Sequence, residues 1–418
     1  MRIVQYLALS AAVIFPLAGF ADEMTRADPA SVGLSAERLD RIDTTFQERI
    51  DAGDFPGAVV MVARHGRIAH VSALGARAEG GEPMTEDTIF RIYSMTKPIT
   101  SVVALALVEE GKLDLAAPLQ RYLPEFKDMT VATGRAADGT VQTEPAKRPI
   151  TVLDLMRHTA GLTYGFFGTG PAREVLNEKN PGDGQYTNRE LSEILGNLPL
   201  EHQPATTWEY SRATDVLGAL IEVIDGRSLG EAMKARVFDP LGMTSTGFHV
   251  ASPEDFTRIA EPRADDRMIG NIAVFDPRES RKFETGGGGL VSTIRDYARF
   301  MQMLMNRGEF DGVRILSPMT IDYMLTDQLG PIGPGKYYLP GDGYGFGLGV
   351  AVRTRNGTSP LMGNVGDFFW GGAAGTYMVG DPKEDMFLIY MVQSPKNAML
   401  LRGIIRNMVY GSIADRNG

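Results

Sequence analysis

Residues 93–111 read YSMTKPITSVVALALVEEG, and every later inference starts from this stretch. Apolar side chains recur through it up to the final glycine, which predicts a buried helix over residues 93–110. Pro98 falls in the first turn of that helix, where a missing backbone N–H costs nothing. Ser94 therefore lies at the predicted N-terminus, and Lys97 follows one turn later on the same face.

The spacing of Ser94 and Lys97 suits a nucleophile and its base. A serine hydroxyl attacks a carbonyl group only when a neighbour takes its proton, and a desolvated lysine can do so. The helix dipole adds partial positive charge at the N-terminus, which favours negative charge developing on the serine oxygen. A Ser-x-x-Lys spacing also arises by chance, and the alternative is an N-cap serine followed by a surface lysine. The rest of the chain must therefore support the catalytic interpretation.

A tyrosine further along the chain could complete such a site. The run Glu209-Tyr210-Ser211 precedes a predicted helix that begins near Ala213, so the tyrosine hydroxyl could point into a cleft. Close to a cation, a phenol can act as a base or pass a proton to a leaving group. The alternative is a packed tyrosine whose hydroxyl finds one hydrogen bond.

A glycine-rich segment near the C-terminus is the third element. Residues 369–376 read FWGGAAGT. Its glycines allow another backbone group to approach closely at a sheet edge, where N–H groups could face an oxyanion. The alternative is a β-bulge or a tight turn.

In this order the three elements resemble the serine β-lactamase superfamily, and within it the family VIII carboxylesterases that look like class C β-lactamases. The family's motifs stand here as Ser94–Lys97, Tyr210-Ser211-Arg212 and Trp370-Gly371-Gly372. Three further segments are similar to that group, namely RHTAGL, DPLGM and GGGLVST at residues 157–162, 239–243 and 287–293. The resemblance extends from about Ala27 to Ile413.

The resemblance implies an α+β fold of the β-lactamase/transpeptidase type, in which an antiparallel sheet flanked by helices is joined to an all-helical lobe. Residues 22–112 and 256–418 would form the lobe with the sheet, and residues 113–255 the helical lobe. The strand patterns agree, because an N-terminal hairpin and several C-terminal strands could each bury a face only in a shared sheet.

Individual elements follow from local periodicity. Strands are predicted at residues 57–63, 68–73, 346–352, 375–379 and 386–392. Helices are predicted from the cap Ser35 to about residue 50, and at residues 151–158, 188–195, 213–224, 229–237 and 398–410. Residues 130–147 and 165–184 are predicted to be loops, which in a compact enzyme often form the rim of a substrate site.

The resemblance also implies roles for individual residues. Ser94 would be the nucleophile, and Lys97 and Tyr210 would form a coupled base whose proton could rest on either group. The backbone N–H groups of Ser94 and Ala373 would bind the oxyanion. The candidates for substrate binding are Trp370, Gly371, Gly372, Tyr164 and Arg212.

Two positions depart from the family's pattern. Arg212 replaces the asparagine of the second motif, and Trp370 replaces the lysine of the third. In penicillin-recognising relatives, those positions hold the substrate's amide and carboxylate. A tryptophan offers an apolar face and one N–H donor but no charge for a carboxylate, which favours neutral esters over β-lactams. Arg212 either restores a cation near the site or lies on the helix surface.

We therefore expect a serine hydrolase that cleaves carboxylic esters with short acyl chains through an acyl-enzyme on Ser94. Three other functions stay open: a β-lactamase or D-amino-acid peptidase, an acyltransferase that passes the acyl group to an alcohol, and a non-catalytic ligand-binding homologue. The expected partner is a small-molecule ester, and the sequence predicts no particular oligomeric state.

Composition excludes several other kinds of chemistry. The 418 residues contain no cysteine, so neither a disulfide nor a thiolate site can form. The net charge of −10, with no basic stripe, argues against nucleic acid as a partner. None of the five histidines is spaced for zinc, and no glycine-rich phosphate loop occurs, so neither a metal nor a cofactor is predicted.

Residues 1–21 have the pattern of a cleavable secretory signal. Arg2 supplies the positive start, residues 7–17 supply the apolar centre, and Gly19-Phe20-Ala21 forms a small-residue cleavage site. The apolar run is short and contains Pro16, which argues against a retained membrane anchor. With no cysteine to form disulfides, this pattern predicts a periplasmic or secreted bacterial protein.

A second serine lies in a motif that resembles the nucleophile elbow of other hydrolases. Residues 226–230 read GRSLG, which matches Gly-x-Ser-x-Gly around Ser228. That elbow follows a strand, whereas Gly226 suits the end of one predicted helix and Ser228 with Glu231 suits the capping box of the next. The sequence therefore predicts a structural role for Ser228.

Overall fold

A seven-stranded antiparallel sheet forms the centre of the computed structural model, which describes residues 24–179, 184–270 and 272–415. Numbered in chain order, its strands are β1 (Gly57–Arg64), β2 (Arg67–Gly75), β3 (Tyr344–Phe346), β4 (Ala351–Arg353), β5 (Phe368–Gly371), β6 (Tyr377–Asp381) and β7 (Met386–Val392). Their order across the sheet is β3-β4-β5-β6-β7-β1-β2. Because β1 pairs with β7, the N-terminal hairpin and the C-terminal strands share one sheet, as predicted. The predicted signal peptide at residues 1–21 lies outside the described residues.

Eleven α-helical segments accompany this sheet in the described residues. They are α1 (Ala36–Asp51), α2 (Thr96–Glu109), α3 (Val152–Met156), α4 (Pro171–Glu178), α5 (Asn188–Gly196), α6 (Ala213–Asp225), α7 (Leu229–Met233), α8 (Asp239–Leu241), α9 (Ile294–Met305), α10 (Pro318–Met324) and α11 (Ala398–Gly411). The first begins at Ser35, as predicted, because the Ser35 hydroxyl accepts a hydrogen bond from the Arg38 N–H. Within the described ranges, no helix has the length and apolar character needed to cross a bilayer.

The sheet separates two hydrophobic cores. Neighbouring residues of a strand point to opposite faces, so the side chains of β1 alternate between the two cores. Val59 and Met61 pack in the larger core with α2 and α9, and Val60 packs in the smaller core with α1 and α11. Because both faces are covered, every residue of β1 is buried, and its sequence GAVVMVAR is almost continuously apolar.

Residues 113–255, which were predicted to form the helical lobe, carry α3 to α8, but they also contain a β-hairpin. Strands Thr130–Arg135 and Val141–Pro145 pair within the segment predicted to be a loop, so that prediction was wrong. Only Val131 of the two strands is buried, and no apolar alternation therefore marks them in the sequence. The loop predicted at residues 165–184 likewise contains α4.

The strand predicted over residues 346–352 is interrupted by a turn. Residues 347–350 reverse the chain, and β3 and β4 pair on either side of them. No side chain could replace Gly349 here, since its φ is +93° and an added Cβ would lie 2.6 Å from the Ser101 hydroxyl of α2. The turn is required by a close contact with α2, which strand periodicity does not reveal.

The Gly-x-Ser-x-Gly match around Ser228 is a junction between two helices, as predicted. Helix α6 ends at Gly226, which has a left-handed φ of +80°. The Ser228 hydroxyl accepts a hydrogen bond from the Glu231 N–H at 3.3 Å, and the Glu231 carboxylate accepts one from the Ser228 N–H at 3.1 Å. This capping box begins α7, so Ser228 is a structural residue and a suitable control for Ser94.

Candidate active site

Ser94 lies where a sharp turn enters α2. Residues Tyr93–Met95 form a single 3-10 turn before the helix, so the helix predicted over residues 93–110 begins with a tighter turn than expected. Tyr93 has a left-handed φ of +42°, which costs on the order of 1 kcal/mol or more for a residue other than glycine. Phe275 supports this conformation, since its N–H donates to the Tyr93 hydroxyl at 3.4 Å. The turn places Ser94 in the wall of a cleft.

Lys97 is fully buried one turn after Ser94. Its Nζ lies 3.3 Å from Ser94 Oγ, 3.3 Å from Tyr164 Oη and 2.6 Å from the carbonyl oxygen of Gly287. Three oxygen atoms thus surround the Lys97 amino group, and these contacts offset the cost of its burial. In the part of the chain that the structure describes, no carboxylate forms an ion pair with Lys97.

Tyr210 completes a cluster of three groups around the Ser94 hydroxyl. It precedes α6, at the loop–helix junction predicted for it, and lies 116 positions from Ser94 in the chain. Its hydroxyl donates to Ser94 Oγ at 2.6 Å, while Lys97 Nζ lies 4.5 Å from the centroid of its ring. The structure therefore brings together the three residues that the motifs singled out, and the Ser94 proton has two possible carriers beside it.

The carbonyl group that holds Lys97 belongs to a segment positioned by Asp215 of α6. Asp215 is buried, and its carboxylate accepts hydrogen bonds from the Gly287 N–H at 2.9 Å and from the Thr285 hydroxyl. A Cβ at Gly287 would lie 2.8 Å from this carboxylate, so the contact requires glycine. In the sequence, the GGGLVST segment indicated this part of the site. Its partner Asp215 lies 72 positions from Gly287, so no local pattern links the two residues.

Arg212 and Tyr164, both predicted to bind substrate, contact Asp215 and Lys97, and neither lines the cleft beside Ser94, so their part in substrate binding stays a prediction. Arg212 pairs with Asp215 at 3.2 Å, and its guanidinium carbon lies 5.2 Å from the centroid of the Tyr164 ring. Burial, followed by the charge of Asp215, raises the pKa of Tyr164 well above its ordinary value, so this residue stays a neutral phenol beside Lys97. Because Asp215 neutralises Arg212, this arginine supplies no free cation to the cleft.

A buried histidine, His158, packs beside Tyr210 and was not among the predicted site residues. The two rings lie 5.0 Å apart, and His158 Nδ1 lies 3.1 Å from the Ser211 hydroxyl. Burial, followed by the charge of Lys97, lowers the pKa of His158 well below its ordinary value, so the ring is neutral. These contacts hold the segment that carries Tyr210, and the RHTAGL motif was their only signal in the sequence.

The Ser94 hydroxyl opens into a cleft of about 640 Å³. This volume falls within the range of pockets that enclose drug-sized molecules. The side chains that line the cleft are mostly apolar and include Phe167, Leu339, Phe369, Trp370, Met399 and Leu400. The ring centroids of Trp370 and Tyr210 lie 5.5 Å apart, so the tryptophan forms the wall next to Ser94. Among the described residues, no cluster of histidine, aspartate and glutamate side chains is placed to hold a metal ion.

The glycine-rich segment after β5 brings backbone groups to the same cleft. Gly371 and Ala373 line it together with Ser94. The Gly372 N–H donates to the Thr376 carbonyl at 2.8 Å, whereas the Ala373 N–H forms no hydrogen bond with another described residue. Gly372, predicted to bind substrate, does not line the cleft, and a Cβ added to it would collide with the carbonyl oxygen of Ile92 before the Ser94 turn, so its substrate contact stays a prediction. The N–H of Ala373 is therefore available to a ligand beside Ser94.

Comparison with known proteins adds three findings. A sequence model described as Beta-lactamase matches residues 42–409. The Esterase EstB of Burkholderia gladioli is 35% identical over 83% of this chain and 88% of its own length. An uncharacterized protein of Mycobacterium tuberculosis is 39% identical over 85% of this chain and 90% of its own length. The structure of EstCE1, a hydrolase with promiscuous acyltransferase activity, is similar with a TM-score of 0.72, 26% identity, and coverage of 93% of this chain and 99% of its own.

Proposed function

This chain belongs to the β-lactamase family of serine hydrolases, as its resemblance to the family VIII carboxylesterases predicted, and from that premise we propose that it cleaves carboxylic esters through an acyl-enzyme on Ser94. One observation carries the proposal: a single hydroxyl contacts two proton carriers. Ser94 Oγ lies 2.6 Å from Tyr210 Oη and 3.3 Å from Lys97 Nζ. A serine needs such partners to become a nucleophile, and the similarity to Esterase EstB supports an ester as the substrate.

Acylation begins when Ser94 Oγ attacks the ester carbonyl carbon and its proton passes to the Lys97–Tyr210 pair. The new C–O bond produces a tetrahedral intermediate, and the N–H groups of Ser94 and Ala373 stabilise its oxyanion. Collapse of the intermediate breaks the bond to the alcohol oxygen. That oxygen takes a proton from the Tyr210 hydroxyl, and the alcohol leaves.

Deacylation repeats these steps with water. Water attacks the acyl carbon while the Lys97–Tyr210 pair accepts one of its protons. The second tetrahedral intermediate collapses, the Ser94 oxygen regains a proton from the pair, and the carboxylic acid leaves. Two chemical steps through one covalent intermediate should give a burst of alcohol release whenever deacylation is the slower step.

The walls of the cleft favour an uncharged ester. Trp370 is almost fully buried and occupies the position where penicillin-recognising relatives carry a cation, so a substrate carboxylate would find no partner there. The cleft volume of about 640 Å³ also exceeds what a short acyl chain fills. We propose that a short acyl group lies beside Ser94 and that the alcohol half of the ester extends along the apolar walls.

We expect the purified protein to hydrolyse p-nitrophenyl butyrate with a kcat/KM at least roughly 100-fold above that for nitrocefin or a D-Ala-D-Ala peptide. The physical reason is that a carboxylate placed against Trp370, at the position of the third motif, loses its hydration and gains no charged partner from that residue. Absorbance assays measure the first two substrates, and released D-alanine measures the third. Comparable turnover of nitrocefin or of the peptide would contradict the ester preference and support the β-lactamase or peptidase alternative.

Acyl transfer to an alcohol is a second candidate, because it uses the same acyl-enzyme. The apolar side chains around Ser94 favour it, since they bind an apolar alcohol better than water, and the similar structure of EstCE1 belongs to a hydrolase with promiscuous acyltransferase activity. We expect added 1-butanol to divert roughly a tenth or more of the acyl groups into butyl butyrate. Gas chromatography measures the ester. If butyrate is the sole acyl product at every alcohol concentration, the protein is a hydrolase alone.

A further inference from the structure

Arg402 of α11 places a cation against the glycine-rich segment that follows β5. Its Nη2 donates hydrogen bonds to the carbonyl oxygens of Gly372 and Thr376, the second at 3.1 Å. The side chain is partly buried and lines the cleft together with Ser94. Arg402 therefore connects the C-terminal helix to the backbone on both sides of Ala373.

The charge of Arg402 is paired with no acidic side chain among the residues that the structure describes. Its guanidinium carbon lies 5.8 Å from the centroid of the Tyr377 ring, and its buried Nε forms no hydrogen bond there. Burial lowers the pKa of Arg402 to about 10, which leaves the guanidinium protonated at neutral pH. Because burying a cation without a carboxylate partner costs free energy, packing alone is a poor explanation for an arginine at this position.

The two glycines of the third motif make room for this cation. An added Cβ at Gly371 would lie 2.5 Å from Arg402 Cζ, so a side chain there would push the guanidinium away. An added Cβ at Gly372 would collide with the carbonyl oxygen of Ile92, which precedes the Ser94 turn. Without side chains, the segment contacts both Arg402 and the backbone next to Ser94.

The carbonyl of Gly372 and the N–H of Ala373 are the two ends of one planar amide. A hydrogen bond from a charged donor to the carbonyl oxygen draws electron density from the amide nitrogen, which makes its N–H a stronger donor and holds the amide plane in one orientation. We propose that Arg402 is a positioning residue that orients and polarises this amide so that the Ala373 N–H binds the oxyanion. The inference rests on the proposed function. Through this amide, Arg402 brings positive charge to the site, which the uncharged Trp370 does not provide.

Replacing Arg402 with methionine should lower kcat by roughly 30-fold and change KM by less than about threefold. Loss of a whole oxyanion donor costs roughly 100-fold to 1,000-fold in kcat, and here the donor remains but is weaker and less well oriented. Arg402→Lys keeps the charge with fewer donors, so its kcat should lie between those of the wild type and Arg402→Met.

Two matched inhibitors separate polarisation from a change in cleft shape. A trifluoromethyl ketone forms a tetrahedral adduct with serine and carries an oxyanion, whereas the methyl ketone of the same chain binds as an uncharged carbonyl compound. In Arg402→Met the affinity for the trifluoromethyl ketone should fall by roughly 30-fold, in parallel with kcat, while the affinity for the methyl ketone stays unchanged. Arg41→Met, which changes an exposed arginine of α1, is the control and should behave as the wild type.

The melting temperature of each variant shows whether it folds. If Arg402→Met does not fold, a lower kcat together with weaker trifluoromethyl ketone binding in Arg402→Lys supports the inference. A wild-type kcat in every folded Arg402 variant would overturn it, and so would an equal loss of affinity for both ketones. If the wild-type protein neither hydrolyses the ester nor forms the ketone adduct on Ser94, this result contradicts the proposed function. The inference, which depends on that function, is then contradicted as well.

Discussion

Ser94→Ala is expected to remove ester hydrolysis, with kcat/KM lower by roughly 10,000-fold or more. Alanine keeps the backbone N–H of residue 94 but removes the one oxygen that contacts both Tyr210 and Lys97. No acyl-enzyme can form without that oxygen. Initial rates with p-nitrophenyl butyrate measure the loss, and intact-protein mass spectrometry should detect a butyryl adduct on the wild type alone.

Ser228→Ala is the matched control, because Ser228 caps α7 and takes no part in the proposed reaction. This variant should keep its full kcat and lose only about 1 kcal/mol in the free energy of unfolding, which is the usual cost of removing a helix cap. Activity retained by Ser94→Ala and lost in Ser228→Ala would show that the nucleophile is misassigned. A folded wild-type protein that is inert towards esters, peptides and β-lactams would favour the non-catalytic ligand-binding alternative.

Lys97→Met is expected to lower kcat for ester hydrolysis by roughly 1,000-fold, within the range typical of a removed acid–base group. Methionine fills a similar volume but can neither accept the Ser94 proton nor interact as a cation with the Tyr210 ring. Since Lys97 pairs with no carboxylate among the described residues, the substitution leaves no opposite charge unpaired and the fold should persist. Single-turnover kinetics measure the acylation step directly, and the melting temperature checks folding.

Lys112→Met provides the control for this prediction, since Lys112 is an exposed lysine shortly after the end of α2. It should match the wild type in kcat and in melting temperature. If a folded Lys97→Met variant keeps its acylation rate within about tenfold of the wild type, Tyr210 alone carries the Ser94 proton, and the coupled base is contradicted.

Most of the fold could be inferred from short-range patterns. The cap at Ser35, the hairpin of β1 and β2, and the strand β7 each carry their signal within a few neighbouring residues. The α+β fold of the β-lactamase/transpeptidase type, which the resemblance implied, is confirmed by the matching sequence model and by the similar structure of EstCE1. The hairpin at residues 130–145 escaped detection because its strands are mostly exposed and are defined by their pairing, which leaves no apolar alternation in the chain.

The candidate site, like the fold, could be predicted from the sequence only in part. The order of the motifs was enough to select Ser94, Lys97 and Tyr210, and the structure places these three in contact. Substrate binding by Arg212 and Tyr164 stays a prediction, because neither side chain lines the cleft and the direction of each is set by its contacts in the folded protein. Arg212 turns towards Asp215, and Tyr164 lies behind Lys97.

Local signals in the chain were sufficient for the position of Ser94 at the start of a helix, the cap at Ser35 and the structural role of Ser228, because each depends on residues a few positions apart. Which arginine acts at the cleft is determined by the tertiary packing. Arg212 stands beside Tyr210 in sequence yet is neutralised by Asp215, while Arg402 reaches the backbone next to Ala373 from the C-terminal helix. Coulomb and hydrogen-bond energies depend on distance in space, so the arrangement of the helices around the sheet determines which charge acts at the site.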